Sequence, residues 1–235
     1  MFPNQNPYVN PAQLGVRPAT KLSVGFLSQA FSWMFVGLSL TAVVAWFVSQ
    51  NAALSTMAQG LFLPVIIGQF ILVIAISAGI NRMSATTALG LFLVYAAAMG
   101  VTLSFVFLAY RLGSIYVAFF SAAAMFGGAA LYGSVTKRNL ASIGGYLTMG
   151  LIGIIAASIL NMLIFQSLGL NFAISILGVA IFVGLTAWDV QKISTGQLAV
   201  ATGSMEKGAV IGALHLYLDF INLFLFMLRL FGSRR

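Results

Sequence analysis

The chain has 235 residues, of which 61% are hydrophobic and 6% charged, against roughly 25% charged in an ordinary water-soluble domain. Eleven basic and three acidic residues cannot wet a surface of this size, so lipid is the expected solvent. The lack of Cys and the single His, His215, exclude disulfides, thiolate or multi-histidine metal sites and cysteine nucleophiles, and the net charge of +8 is scattered at the ends of apolar runs with no basic cluster suited to nucleic acid.

In chain order, residues 1–24 read as a flexible polar tail, because Pro3, Pro7, Pro11 and Pro18 among Asn and Gln deny it a continuous helix. No short apolar stretch follows closely on a basic start, so the first apolar run is taken as a span and not as a secretory signal. A hydrocarbon core about 30 Å thick takes roughly 20 apolar residues per helix. Seven runs meet or approach that length: 25–48, 61–80, 86–109, 115–135, 143–165, 172–193 and 209–230. The breaks carry turn and polar residues such as Asn51, Asn81-Arg82, Arg111, Lys137-Arg138-Asn139 and Asn171. Such short connections predict antiparallel neighbours, hence an all-α, seven-transmembrane-helix bundle over 25–232 with a basic tail at 233–235. The loop 194–207 is the exception, long enough to be flexible.

Glycine is frequent within the runs, as at Gly127-Gly128, Gly144-Gly145, Gly150, Gly153, Gly178 and Gly184, and is expected to let helices approach closely. Trp33, Trp46, Trp188, Tyr110 and Tyr132 read as interfacial anchors, and Asn161 and Asn222 as interhelical hydrogen-bonding groups. With a cytoplasmic N-terminus, Arg17, Lys21, Arg82, Lys137, Arg138, Lys192 and Lys207 lie inside. Arg111, Arg229, Arg234 and Arg235 then lie outside, a balance that favours this orientation. The three C-terminal arginines argue the other way, and a re-entrant last segment would reconcile them.

Of the acidic residues, Glu206 sits in the polar loop before the last run as a solvated charge. Asp189 and Asp219 lie inside apolar runs, where an Asp at a helix centre costs about 2.5–3.5 kcal/mol and therefore faces a cavity or a partner. On the last helix, His215, Asp219, Asn222 and Arg229 fall within an arc of about 80°. The sixth offers a matching face of Ser175, Gly178, Phe182, Thr186 and Asp189. Two carboxyls brought together in low dielectric cannot both ionise cheaply. Protonated, they share a hydrogen bond; ionised, they repel and present oxygens suited to a hard cation such as calcium. Arg82 is the expected counter-charge, with His215, Asn222 and Thr186 as further residues of the path. The bland alternative pairs Asp189 with Lys192, and Asp219 with Arg82 or His215, as internal glue.

The string Leu216-Tyr217-Leu218-Asp219-Phe220-Ile221-Asn222-Leu223-Phe224 resembles the last helix of the Bax inhibitor-1, or transmembrane Bax inhibitor motif, family. Leu185-Thr186-Ala187-Trp188-Asp189 resembles its sixth-helix motif. The resemblance implies a central last helix surrounded by the other six. It further implies a pH-sensitive calcium leak channel gated by aspartates at Asp189 and Asp219, with a basic residue at Arg82 contacting the pair. Calcium is then the permeant ion, held transiently by the two aspartates, and no cofactor or catalytic residue is expected. The ending Gly232-Ser233-Arg234-Arg235 and compact loops fit a bacterial member in the inner membrane.

An intramembrane aspartyl protease also places aspartates on its sixth and seventh helices, but the Gly-x-Gly-Asp and Pro-Ala-Leu motifs are missing. A proton-coupled transporter would show repeats with matching Gly or Pro breaks, and Pro64 has no counterpart. A retinal protein needs a lysine in the last helix, and the run 209–230 has none. The remaining alternative is a non-transporting regulator, of stress or cell-death-suppressor type, that binds a membrane-protein partner.

Overall fold

In a computed structural model, residues 21–233 are described. The helices are α1 (Lys21–Gln50), α2 (Ala52–Gly60), α3 (Phe62–Gly79), α4 (Ala85–Ala109), α5 (Leu112–Val135), α6 (Ala141–Leu160), α7 (Leu168–Ser194), α8 (Gln197–Thr202) and α9 (Met205–Phe231). A 3₁₀ turn, Ile80–Arg82, extends α3, and a π turn, Asn161–Phe165, extends α6. Seven helices are long and apolar enough to cross a membrane, matching the seven predicted runs, and the described residues form no strand. Most of the expected N-terminal tail, residues 1–20, and Arg234 and Arg235 lie outside the described residues. Residues 21–24 already belong to α1.

The polar residues at the breaks start helices. Asn51 accepts hydrogen bonds from the Ala53 and Leu54 amides, Ser84 from Thr87, Ser167 from Leu170 and Ser204 from Lys207, capping α2, α4, α7 and α9. Glu206 is correspondingly not a loop charge but an exposed residue in the first turn of α9, where a negative charge suits the helix dipole. The loop expected to be long and flexible is folded. Gly196 (φ +73°) closes α7 and Gly203 (φ +64°) closes α8, and α8 packs on α9 and α7. Both glycines adopt a left-handed backbone that a Cβ would strain.

In its most apolar stretch 78% of α9 is buried, against 11–33% in the other six spans, so α9 is the axis of the bundle. It packs on α1, α5 and α7 and less extensively on α4. The expected enclosure by all six helices is not what forms: α3 packs on α4, and α6 on α7, as an outer layer. The 27 residues of α9 extend about 40 Å. The Ser233 amide then donates to Ser114 Oγ (3.0 Å), and Ser233 O accepts from the Arg111 amide (3.3 Å). The end of α9 is thereby held at the α4–α5 corner, and α9 is one unbroken helix of spanning length with no re-entrant turn among the described residues.

Close helix approach explains only some of the glycines. A Cβ at Gly133 would fall on the Ala187 carbonyl of α7, and one at Gly178 on the Phe226 ring of α9. Gly127, Gly128, Gly145 and Gly153 instead face open space, so the packing role expected for them is not the one they have.

Candidate functional site

The α7 face expected from the sequence, Ser175, Gly178, Phe182, Thr186 and Asp189, is buried in full against α9. Asp189 and Asp219 are 7% and 4% exposed, and their side chains lie within interaction range of each other across the α7–α9 contact. Continuation of α7 through Lys192 to Ser194 places Asp189 within the helix and so makes this meeting geometrically available. Thr186, one turn before Asp189, donates to Phe182 O (2.7 Å) and also lies beside Asp219.

The cations around the pair differ from expectation. The Lys192 ammonium contacts Asp189 Oδ1 from three residues on and sits 3.8 Å over the Trp188 ring. His215 projects from α9, with Nδ1 3.5 Å from the same Asp189 oxygen. Arg82 is exposed at the end of the α3 extension and pairs with no acid among the described residues; Lys192 takes the counter-charge position instead. The physical reason is packing: α3 lies against α4 in the outer layer and has no extensive contact with α7 or α9. Asp189 thus pairs with Lys192 and also lies beside Asp219.

Among the described residues, three buried polar side-chain atoms make no hydrogen bond: Asp219 Oδ2, and Asp189 Oδ1 and His215 Nδ1, which meet each other and, for Asp189, Lys192 as ionic contacts only. All three belong to this one cluster. Buried polar groups are normally satisfied, so this concentration sets the α7–α9 contact apart from the rest of the described core. No group of three or more His, Cys, Asp or Glu side chains suited to hold a metal occurs among the described residues. Calcium takes six to eight oxygens, of which two carboxyls supply at most four.

Other expected roles are relocated. Asn222 Nδ2 donates to Leu218 O (2.8 Å) on its own helix, so it is not an interhelical link. Asn161 shapes the α6–α7 turn, donating to Ser167 O (3.1 Å) and accepting from the Ser167 amide (3.0 Å). Trp188 is packed against Gly144 of α6 and is only partly exposed, unlike Trp46, which is 57% exposed. The along-helix stripe on α9 also resolves further: its least buried line is His215, Leu218, Asn222, Leu225 and Arg229, with Asp219 turned inward from it. Sequence reasoning missed the buried contact of Tyr217 Oη with Thr41 Oγ1 (2.6 Å), which ties α9 to α1. A hydroxyl on each of two apolar helices was the available signal.

A seven-span, all-α membrane protein with a central last helix, whose buried carboxyl meets a second carboxyl on the sixth span, is the class these features define. The chain matches the family described as inhibitor of apoptosis-promoting Bax1 over residues 24–235, and it belongs to that Bax inhibitor-1 family. It is 43% identical to the inner membrane protein YbhL of Escherichia coli, over 94% of this chain and 96% of that one. A protein of Borreliella burgdorferi is 48% identical over 89% of this chain and 92% of its own length. YrjE of Lactococcus lactis is 41% identical over 88% and 90%. The chain is a multi-pass protein of the inner membrane.

Proposed function

We propose that the protein is a pH-sensitive calcium leak channel of the inner membrane, with the Asp189–Asp219 pair as its gate. The observation that carries this reading is the buried meeting of Asp189 and Asp219 at the α7–α9 contact, where Asp219 Oδ2 has no hydrogen-bond partner while Lys192 and His215 both meet Asp189 Oδ1. With a proton between them the two carboxyls can share a hydrogen bond that holds α7 to α9. With both ionised they repel each other in a low dielectric and present a set of hard oxygens to a passing cation. Lys192 and His215 face the Asp189 carboxyl, so the repulsion is offset on one side of the pair. The half-buried line through His215 and Asn222 supplies polar groups beside the gate for the ion path, and Thr186 sits at the pair itself.

Calcium entry into vesicles containing the purified protein, scanned from about pH 6 to about pH 8, tests the reading. Flux is expected to rise with pH in the parent protein and to lose that dependence in Asp219→Asn and Asp189→Asn. Absence of flux at every pH from folded protein overturns the channel and favours the alternative, a regulator acting by contact with other membrane proteins. No catalysis is assigned to the pair, and peptide hydrolysis by the purified protein would contradict that assignment.

A further inference from the structure

Away from the carboxyl pair, α5, α6 and α7 enclose a groove of about 360 Å³. Its walls include Gly128 and Tyr132 of α5, Ile143 and Leu147 of α6, and Gly184 and Trp188 of α7. The groove opens sideways to lipid, since Tyr132 and Ile143 are 48% and 51% exposed. A Cβ at Gly128 would meet nothing within 4 Å, so this glycine leaves room that no helix fills.

One end of the groove is basic. Gln191, itself buried, accepts from the Leu140 amide (2.8 Å) and donates to the Arg138 carbonyl (2.7 Å). This clamp fastens the α5–α6 turn to α7 one residue before Lys192. Lys137 and Arg138 of that turn are exposed and have no carboxylate partner among the described residues. Lys192 lies over Trp188, a wall of the same groove, and already holds Asp189. An apolar slot between three helices thus ends by Leu140, beside a turn whose two cations have no carboxylate partner among the described residues. Basic pockets between transmembrane helices are recognition sites for anionic headgroups.

We propose that this groove binds an anionic phospholipid from the leaflet at the α5–α6 turn. An acyl chain lies along Gly128, Leu147 and Gly184, and the phosphate is held by Lys137 and Arg138. The site adjoins Lys192, the partner of Asp189, but includes neither carboxyl and does not rest on the channel reading.

Trp188 provides a reporter independent of transport. The chain has three Trp, so Trp33→Phe with Trp46→Phe leaves Trp188 alone. That variant is placed in phosphatidylcholine vesicles doped with brominated phosphatidylglycerol, and in the reverse arrangement with brominated phosphatidylcholine. Brominated phosphatidylglycerol is expected to quench Trp188 with an apparent affinity roughly five-fold or more above that of phosphatidylcholine. Lys137→Gln with Arg138→Gln should bring the ratio to about one, and Gly128→Leu, filling the slot, should weaken quenching by both lipids. A protein retaining only Trp46, exposed on α1, should show no preference. Equal quenching of Trp188 by the two lipids overturns the proposal. So does a preference that survives loss of both cations, or one equally strong at Trp46.

Discussion

His215 reaches across from α9 to Asp189 on α7, with Nδ1 3.5 Å from the carboxylate oxygen, although an aspartate of its own helix lies one turn away at Asp219. The ion contact of Asp189 with Lys192 involves the same oxygen. The two carboxyls of the pair are therefore unequal: Asp189 has two nitrogen-bearing neighbours in direct contact, and Asp219 stands deeper in the bundle with one oxygen unpartnered.

That inequality sets the behaviour of His215→Gln. Removing a group able to carry positive charge beside Asp189 makes simultaneous ionisation of both carboxyls harder. The midpoint of calcium flux against pH should therefore move to higher pH. Asn222→Leu removes a polar group of the proposed path that hydrogen-bonds to Leu218 O and to neither carboxyl, so it should change the size of the flux and leave the midpoint in place. A His215→Gln profile superimposable on the parent's would remove the imidazole from the gate.

Lys192→Met removes the cation from Asp189 and leaves its buried carboxyl with His215 as its one nitrogen-bearing neighbour, beside Asp219. Breaking a buried pair on one side is strongly destabilising, and partial exposure of the ammonium reduces the loss here to about 2 kcal/mol. Thermal unfolding in detergent should show that loss, and the Asp189→Asn/Lys192→Met double variant should recover much of it. Additive losses in the double variant would mean the two groups do not interact.

The bond between Tyr217 and Thr41 predicts an asymmetry between its two deletions. Tyr217→Phe leaves the Thr41 hydroxyl its backbone acceptors, Gly37 O (2.9 Å) and Ala96 O (2.8 Å), and should cost about 1 kcal/mol. Thr41→Val strands the buried Tyr217 hydroxyl and should cost about 2 kcal/mol. Thermal midpoints in the reverse order would contradict a pattern in which Thr41 donates to a backbone carbonyl and accepts from Tyr217.

Two glycines on α5 should respond oppositely to the same substitution. Gly133→Ala drives a methyl onto the Ala187 carbonyl, which is backbone and cannot turn aside, so a loss of about 1–3 kcal/mol is expected. Gly127→Ala enters open space and should stay within about 0.5 kcal/mol of the parent. Comparable unfolding midpoints for the two variants would show that α5 does not press on α7 as described.

The spans were legible because lipid demands runs of apolar residues, and their polar interruptions coincide with the caps at Asn51, Ser84, Ser167 and Ser204. Asp189 and Asp219 stood out because a carboxyl inside such a run needs a partner. The short helix α8 went unread, since a six-residue segment between two glycines carries too little periodicity to separate it from a loop. α2 escaped for a similar reason, a single short helix capped by Asn51 beside a span.

Residue order alone determined the number and place of the spans, the family, and the two helices that bear the intramembrane carboxyls. The rotation of each helix and the layer it occupies were decided only in the tertiary structure. Lipid-facing and protein-facing surfaces of a membrane helix are both apolar, so hydropathy cannot say that α9 is the axis while α3 and α6 stay outside. For the same reason Arg82 looked like a neighbour of the pair and is exposed on the outer layer, whereas His215 and Lys192 converge on Asp189 from two helices. Contacts across helices depend on which faces interlock, and a one-residue rotation of about 100° would have chosen differently.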